Sequence, residues 1–218
     1  MKNYIEGADK FLVDNLKYDD IKNAKLLDVS DKITIGWKGV LAKPAANSSK
    51  ATQIELLKMS EITKNRTSEQ EDLVMMVDDD PNHVFTKMIK KHGLYNPVEE
   101  FKKAWALTMP IIRNLKWQFN RARPYQLAEA YGVEIKVLET PTHHTPSYPS
   151  GHTAWAATMG YILSDMYPEH SSEIFYQVNR AGMGRVYQGV HYPSDNDASM
   201  TITGAIWQDI KHDILGGA

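Results

Sequence analysis

The feature that most constrains the fold of this chain is a helical spacing of apolar residues that runs from Ser48 almost to its end. In one segment after another, apolar side chains recur every three or four residues, which is the period of an α-helix with one buried face. Alternation typical of a strand is confined to one isolated stretch, 133–138 (VEIKVL). The pattern therefore predicts an all-α fold.

Several helix ends can be placed from single residues. Asp80 followed by Pro81 is typical of an N-cap with proline in the first helical turn, and Gly93 ends that segment. Pro97 starts a helix that Pro110 is predicted to kink or restart before it reaches residue 119. Three more helical patterns cover 155–166, 174–181 and 203–214, and before the core we expect a helix plus a short extended piece at 33–37.

Length and composition agree with one globular domain. The chain has 218 residues, of which 42% are hydrophobic and 24% charged. The stretch 43–50 (KPAANSSK) is the only one typical of a linker, so we predict a single helical-bundle domain over 1–218, with an N-terminal helical segment (1–43) and a core (44–218).

Charge, cysteine content and hydropathy exclude several functions. The formal net charge of −2 gives no basic excess for binding nucleic acid. The absence of cysteine excludes disulfides, thiolate metal sites and cysteine nucleophiles. No run of about 18 apolar residues occurs, and no apolar signal-peptide core is present near the amino terminus. We therefore expect a soluble protein, cytoplasmic or otherwise, with no membrane span.

Chemistry-bearing residues fall into three short motifs in the second half of the chain. They are Lys116-x6-Arg123-Pro124, Pro149-Ser150-Gly151-His152 and Arg185-x5-His191-x3-Asp195. Each motif alone is a weak signal, because lone charged residues are usually solvated, but their order and spacing together favour one functional site.

The first group of these residues is suited to holding a tetrahedral oxyanion such as phosphate. Lys116, Arg123 and Arg185 supply three cations with many N–H donors. Ser150 and Gly151 precede an apolar helical pattern, so their backbone N–H groups are predicted at a helix N-terminus, where anions bind.

The second group is suited to nucleophilic and acid–base catalysis. His191 and Asp195 are four residues apart, so the carboxylate can accept the proton of one ring nitrogen and leave the other as a nucleophile. His152 is predicted to act as general acid toward a leaving oxygen and then as base toward water.

These motifs resemble those of the type 2 phosphatidic acid phosphatase superfamily, which includes class A nonspecific acid phosphatases, membrane lipid phosphatases and vanadium haloperoxidases. The resemblance covers residues 116–195 and departs from the family pattern at Gly184, where a serine is usual. It implies a helical core of the acid phosphatase/vanadium haloperoxidase type and a phosphohistidine intermediate. It also implies that His191 is the nucleophile, His152 the acid and Asp195 the residue that orients the nucleophile. The implied oxyanion ligands are Lys116, Arg123, Ser150, Gly151 and Arg185.

Other polar clusters have simpler interpretations. His143 and His144 are interpreted as part of a loop at the mouth of the pocket, with no metal site predicted among the motif residues. The run 78–80 is interpreted as a solvated acidic turn and helix cap. A basic cluster ending at His92 is interpreted as charge that suits a helix C-terminus. The tryptophans at 117, 155 and 207 are interpreted as core residues.

The function predicted from the sequence is a metal-independent phosphatase acting on phosphomonoesters. The expected partner is a small phosphate ester, no cofactor is expected, and vanadate is expected to inhibit; a homo-oligomer stays open. One alternative is a vanadium haloperoxidase, with vanadate as its cofactor and His191 bonded to the metal, although the chain is short for that activity. Another is a phosphate-binding module without catalysis. The loops 43–50 and 139–148 are expected to set specificity.

Overall fold

The computed structural model describes residues 8–19, 25–34 and 36–216, and this part of the chain is built from α-helices without a β-strand. The helices are α1 (Ala8–Asn15), α2 (Trp37–Val40), α3 (Lys50–Lys64), α4 (Ser68–Asp79), α5 (Thr86–His92), α6 (Val98–Phe119), α7 (Pro124–Ala128), α8 (Gly151–Met166), α9 (Ser171–Gln188) and α10 (Pro193–Leu215). Short 3₁₀ turns cover Pro81–Phe85, Glu129–Tyr131 and Pro168–His170. The predicted all-α class is confirmed.

The caps predicted from the sequence are present. The Asp80 carboxylate accepts from the backbone N–H of Asn82, and Pro81 begins the 3₁₀ turn that leads into α5. Gly93 ends α5 in the left-handed region, with a φ of 63°, where a side chain would be strained.

Of the two outcomes predicted for Pro110, the restart of the helix is wrong and the kink stays a prediction. The helix α6 runs through Pro110 without interruption. Proline in a helix interior costs about 3 kcal/mol, but the following turn buries Ile111, Ile112 and Leu115 almost completely. Each such side chain contributes about 1.5–3 kcal/mol when buried, so tertiary packing outweighs the cost of the proline.

The helix α8 lies at the centre of the bundle and packs against α6, α9 and α10, while α4 packs against α9. Small residues allow this central position. A Cβ on Gly160 would lie 2.5 Å from Cγ2 of Val178, so α8 and α9 approach each other too closely for any side chain there. The first turn of α8 is thereby fixed in the interior of the fold.

The two segments with extended character in the sequence, 33–37 and 133–138, form no β-strand among the described residues. Trp37 is the first residue of α2, so the piece expected at 33–37 does not extend that far, and residue 35 lies outside the described residues. The stretch 133–138 forms no strand. It lies beside α9 and α3, where Leu138 N–H donates to the Gln188 carbonyl (3.0 Å) and Lys136 N–H to Thr63 Oγ1 (3.2 Å).

Among the described residues, none of the helices has both the length and the apolar character needed to span a bilayer. The single-domain organisation over 1–218 remains a prediction, because residues 1–7, 20–24, 35 and 217–218 lie outside the described ranges.

Candidate active site

The three sequence motifs meet at one cavity of about 570 Å³. It is bordered by the C-terminal turns of α6 and α9, the N-terminal turn of α8 and the loop 141–145. Six of the eight predicted site residues line it, namely Lys116, Arg123, Gly151, His152, Arg185 and His191. The other two, Ser150 and Asp195, are fully buried behind this surface.

Two of the cations are held by backbone carbonyls of the loop before α8. Lys116 Nζ donates to the Pro146 carbonyl at 2.7 Å. Arg123 donates through Nε to the Thr145 carbonyl at 2.9 Å and through Nη1 to the Val190 carbonyl at 2.8 Å. Neutral carbonyls orient both side chains without cancelling their charge, so the positive charge remains available to a bound anion.

The third cation, Arg185, is held by an acidic residue that the sequence analysis assigned wrongly. Its Nη1 donates to Asp78 Oδ1 at 2.6 Å and its Nη2 to Thr142 Oγ1 at 2.9 Å. Asp78 also accepts from the hydroxyls of Thr140 and Thr142, and its side chain is only 7% exposed. It lines the cavity, so it is no solvated turn residue, whereas Asp80 is the cap that was predicted.

The charged form of each of the three cations is destabilised by its surroundings. Burial lowers the pKa of Lys116 well below its usual range, and repulsion from Arg123 and Arg185 adds to this effect. Burial likewise lowers the pKa of Arg123, and that of Arg185 to about 10. The attraction of an anion among these groups would offset both effects, so the cavity favours negatively charged ligands.

The N-terminus of α8 contributes backbone donors to the same cavity. Ser150 is its N-cap, as predicted, and its Oγ interacts with Thr153. Because Ser150 is fully buried and does not line the cavity, its hydroxyl serves the helix cap. Gly151 and His152 occupy the first turn, where the backbone N–H groups have no partner within the helix.

His191 and Asp195 form the predicted pair. Pro193 begins α10, and Asp195 in its first turn places Oδ2 3.1 Å from His191 Nδ1. A carboxylate only accepts, so Nδ1 carries the proton and Nε2 is the lone-pair nitrogen. Nε2 lies 3.4 Å from Arg123 Nη1, one of the cavity cations. Burial, with Arg123 adding repulsion, lowers the pKa of His191 well below its usual range and keeps the ring neutral.

Asp195 is itself held by groups that the sequence analysis missed. Arg121 Nη1 donates to its Oδ1 at 2.6 Å, and Ser147 Oγ donates to its Oδ2 at 2.5 Å. Burial alone would raise the pKa of Asp195, but the Arg121 charge and the His191 hydrogen bond outweigh it and hold the pKa below the usual range. Arg121 also contacts Glu55 (3.3 Å), which accepts from the backbone N–H of Ser194 (2.7 Å).

The surroundings of His152 disfavour its protonated form. Burial, followed by repulsion from Arg185, lowers its pKa well below the usual range, although Asp78 acts in the opposite direction. His143 and His144 also line the cavity, in agreement with the loop position predicted for them.

The tryptophans predicted as core residues and Gly184 have different surroundings. Trp207 is a core residue, 2% exposed, as predicted. Trp155 is only partly buried and lines the cavity, so its assignment to the core is incomplete. Gly184 is a packing residue, because a Cβ there would lie 3.2 Å from Cγ2 of Val77 in α4.

Comparison with known proteins identifies the family of this chain. A family model described as the PAP2 superfamily matches residues 104–213, just over half of the chain. A non-specific acid phosphatase of Providencia stuartii is 34% identical over 99 residues, which cover 43% of this chain and 38% of that protein. A non-specific acid phosphatase of Salmonella typhimurium is 42% identical over 52 residues, or 24% of this chain and 21% of that protein.

A solved structure shows the same fold. The crystal structure of a transmembrane PAP2-type phosphatidylglycerolphosphate phosphatase from Bacillus subtilis superposes with a TM-score of 0.51 at 16% identity. The match covers 78% of this chain and 89% of that one. The chain belongs to the PAP2 superfamily. Its matches to the two acid phosphatases span well under half of their lengths.

Proposed function

We propose that this protein is a phosphatase that hydrolyses phosphomonoesters through a covalent phosphohistidine on His191, without a metal ion in the chemistry. The observation that carries the proposal is the position of His191. It lines a cavity with three buried cations, and Asp195 holds the opposite side of its ring. Membership of the PAP2 superfamily and the similarity to acid phosphatases support the same activity.

Substrate binding follows from the charges of the cavity. The phosphoryl oxygens bind among Lys116, Arg123 and Arg185 and the first backbone N–H groups of α8. These donors are fixed before the substrate arrives, so they stabilise the charge that develops on the phosphoryl oxygens in the transition state. Three side-chain cations supply the charge neutralisation that a metal ion provides in other phosphatases.

In the first step, the Nε2 lone pair of His191 attacks phosphorus. A P–N bond forms, the ester P–O bond breaks, and His152 donates its proton to the leaving oxygen, which departs as an alcohol. Asp195 stabilises the positive charge that develops on the His191 ring, because it accepts from Nδ1.

In the second step, water replaces the histidine. His152, now neutral, accepts a proton from water as its oxygen attacks phosphorus. The P–N bond breaks, its electron pair returns to Nε2, and inorganic phosphate leaves. His191 is then neutral and His152 protonated, as at the start of the cycle.

The leaving group has an apolar surface to lie against. Beside the cations, the cavity is lined by Trp105, Met109, Ile112 and Trp155. This wall favours esters whose alcohol carries an aromatic or extended apolar group over those of small polar alcohols.

The test is a trapping experiment with an aryl phosphate labelled in its phosphoryl group. After a denaturing quench at alkaline pH, label is expected on wild-type protein as an acid-labile adduct, and none on His191→Ala. His152→Ala is expected to slow turnover and to let the adduct accumulate. His212→Gln, a change at an exposed histidine in the last turn of α10, is the matched control and keeps wild-type labelling.

Three results would contradict the proposal. They are equal labelling of His191→Ala, loss of activity in a strong chelator, and full activity in millimolar vanadate, which mimics the five-coordinate transition state. Peroxide-dependent bromination after vanadate loading, with no phosphatase activity, would instead support the haloperoxidase alternative. Tight phosphate binding without turnover would support a binding module.

A further inference from the structure

We propose a zinc-binding site outside the catalytic cavity, formed by His92, His170 and Glu173. His92 is the last residue of α5, His170 ends the 3₁₀ turn before α9, and Glu173 is in the first turn of α9. The ligand atoms of these three residues all lie within 4.8 Å of one another. None of the three lines the catalytic cavity, so the site is independent of the function proposed above.

The geometry needs only small side-chain movements to accept the ion. Zinc bound tetrahedrally at 2.0–2.2 Å from nitrogen and oxygen separates its ligand atoms by about 3.3 Å. Nε2 of His92 is already 2.8 Å from Oε2 of Glu173, and the two imidazole rings are 4.1 Å apart between centroids. Rotation of one ring about its side-chain bonds completes the set, with water in the fourth position.

The chemistry of the donors is also right for zinc. Two imidazoles and one carboxylate are a ligand set that zinc uses in proteins. Lys91 contacts Oε1, the other carboxylate oxygen, at 3.4 Å, and leaves Oε2 directed at His92.

A shared ligand explains the contact between the two rings. His170 Nε2 also lies 3.8 Å from Oε1 of the more exposed Glu169, but its ring packs directly on that of His92, with 4.1 Å between the centroids. A bound cation would take one lone pair from each ring. The side chains of His92 and His170 are each 23% exposed, which leaves a path for the ion.

The test is zinc titration of metal-stripped protein, read by competition with a chromophoric chelator. Wild-type protein is expected to bind one equivalent more than His92→Gln and His170→Gln, or to bind that equivalent at least tenfold more tightly. His212→Gln is the matched control, because it removes an exposed histidine elsewhere and is expected to bind as wild type. Any zinc held by the cavity histidines persists in all of these variants and cancels in the comparison.

A second readout is thermal unfolding. Zinc is expected to raise the melting temperature of wild-type protein more than that of His92→Gln, since the ion would join the end of α5 to the start of α9. If His92→Gln fails to fold, Glu173→Gln replaces it, because it keeps both imidazoles and an acceptor for His92. Equal stoichiometry and affinity in wild type and these variants, or no zinc bound at micromolar concentration, would overturn the proposal.

Discussion

Replacement of Arg121 by glutamine tests whether the buried charge of Asp195 depends on one partner. The two side chains are 2% and 0% exposed, and their closest atoms are 2.6 Å apart. Breaking a buried pair by removing one partner costs about 3–5 kcal/mol. Asp195 keeps its hydrogen bonds to His191, Ser147 and the Tyr192 N–H, so we expect the lower end, about 3 kcal/mol.

The loss should depend on pH in a defined direction. In wild type the pKa of Asp195 is lowered, so its contribution to stability is present above the unfolded value of about 3.9 and is lost as the pH falls through the folded value. Without Arg121, burial is opposed only by the remaining hydrogen bonds, so the pKa of Asp195 is higher in the variant than in wild type and protonation relieves the unpaired charge at a higher pH. The difference in unfolding free energy between the two proteins is therefore largest at pH 7 and smaller at pH 4.

Urea unfolding at both pH values measures this difference, and at pH 7 the expected loss corresponds to about 6–12 °C in melting temperature for a chain of this size. Arg180→Gln is the control, because Arg180 donates to Gln177 on its own helix; a change within about 0.5 kcal/mol is expected. A loss below about 1 kcal/mol for Arg121→Gln, or one that is equal at pH 7 and pH 4, would refute the reasoning.

Four further outcomes are expected. Phosphate binding should take up protons near neutral pH, because a bound anion raises the lowered pKa values of Lys116 and His152. Calorimetry in buffers of different ionisation enthalpy measures the number of protons taken up. No uptake would contradict the binding of phosphate among these residues. Because a bound anion raises the pKa of His152, the pH optimum of kcat/KM, which reports the free enzyme, should be more acidic than the optimum of kcat. Coincident pH profiles would count against His152 as the general acid. In urea unfolding, Gly160→Ala should destabilise the fold by about 3 kcal/mol, because the new Cβ would lie 2.5 Å from a valine methyl group. Gly184→Ala should cost about 1 kcal/mol, because the corresponding distance is 3.2 Å. The reverse order of the two losses would show that the helices adjust. Trp155→Ala should raise KM about fivefold for an aryl phosphate and less than twofold for methyl phosphate, and equal effects would place the leaving group elsewhere.

The sequence was sufficient where a local rule applied. Asp80 marks a helix start through its side-chain carboxylate, and Gly93 marks a helix end through its left-handed backbone. The four-residue spacing of His191 and Asp195 is a single turn of the chain. The three motifs could be predicted to meet because each residue type in them suits one step of a shared reaction.

The remaining site residues depend on contacts between distant parts of the chain. Arg121 and Asp195 are 74 positions apart, and Asp78 and Arg185 are 107 apart. In the sequence, Asp78 stands in a run of three acidic residues at the end of a helix, which is typical of a solvated turn. Only the packing of α4 against α9 turns its carboxylate inward. No local spacing carries that information.

The way Lys116 and Arg123 are held has a consequence for how such a protein can change over time. Their partners are the main-chain oxygens of Pro146 and Thr145, and every amino acid offers that oxygen. Thr145 also lines the cavity, so a mutation that alters its side chain, while leaving the path of the chain intact, can reshape that part of the cavity wall without moving the charge of Arg123. Substrate preference and the core reaction are thus free to evolve separately.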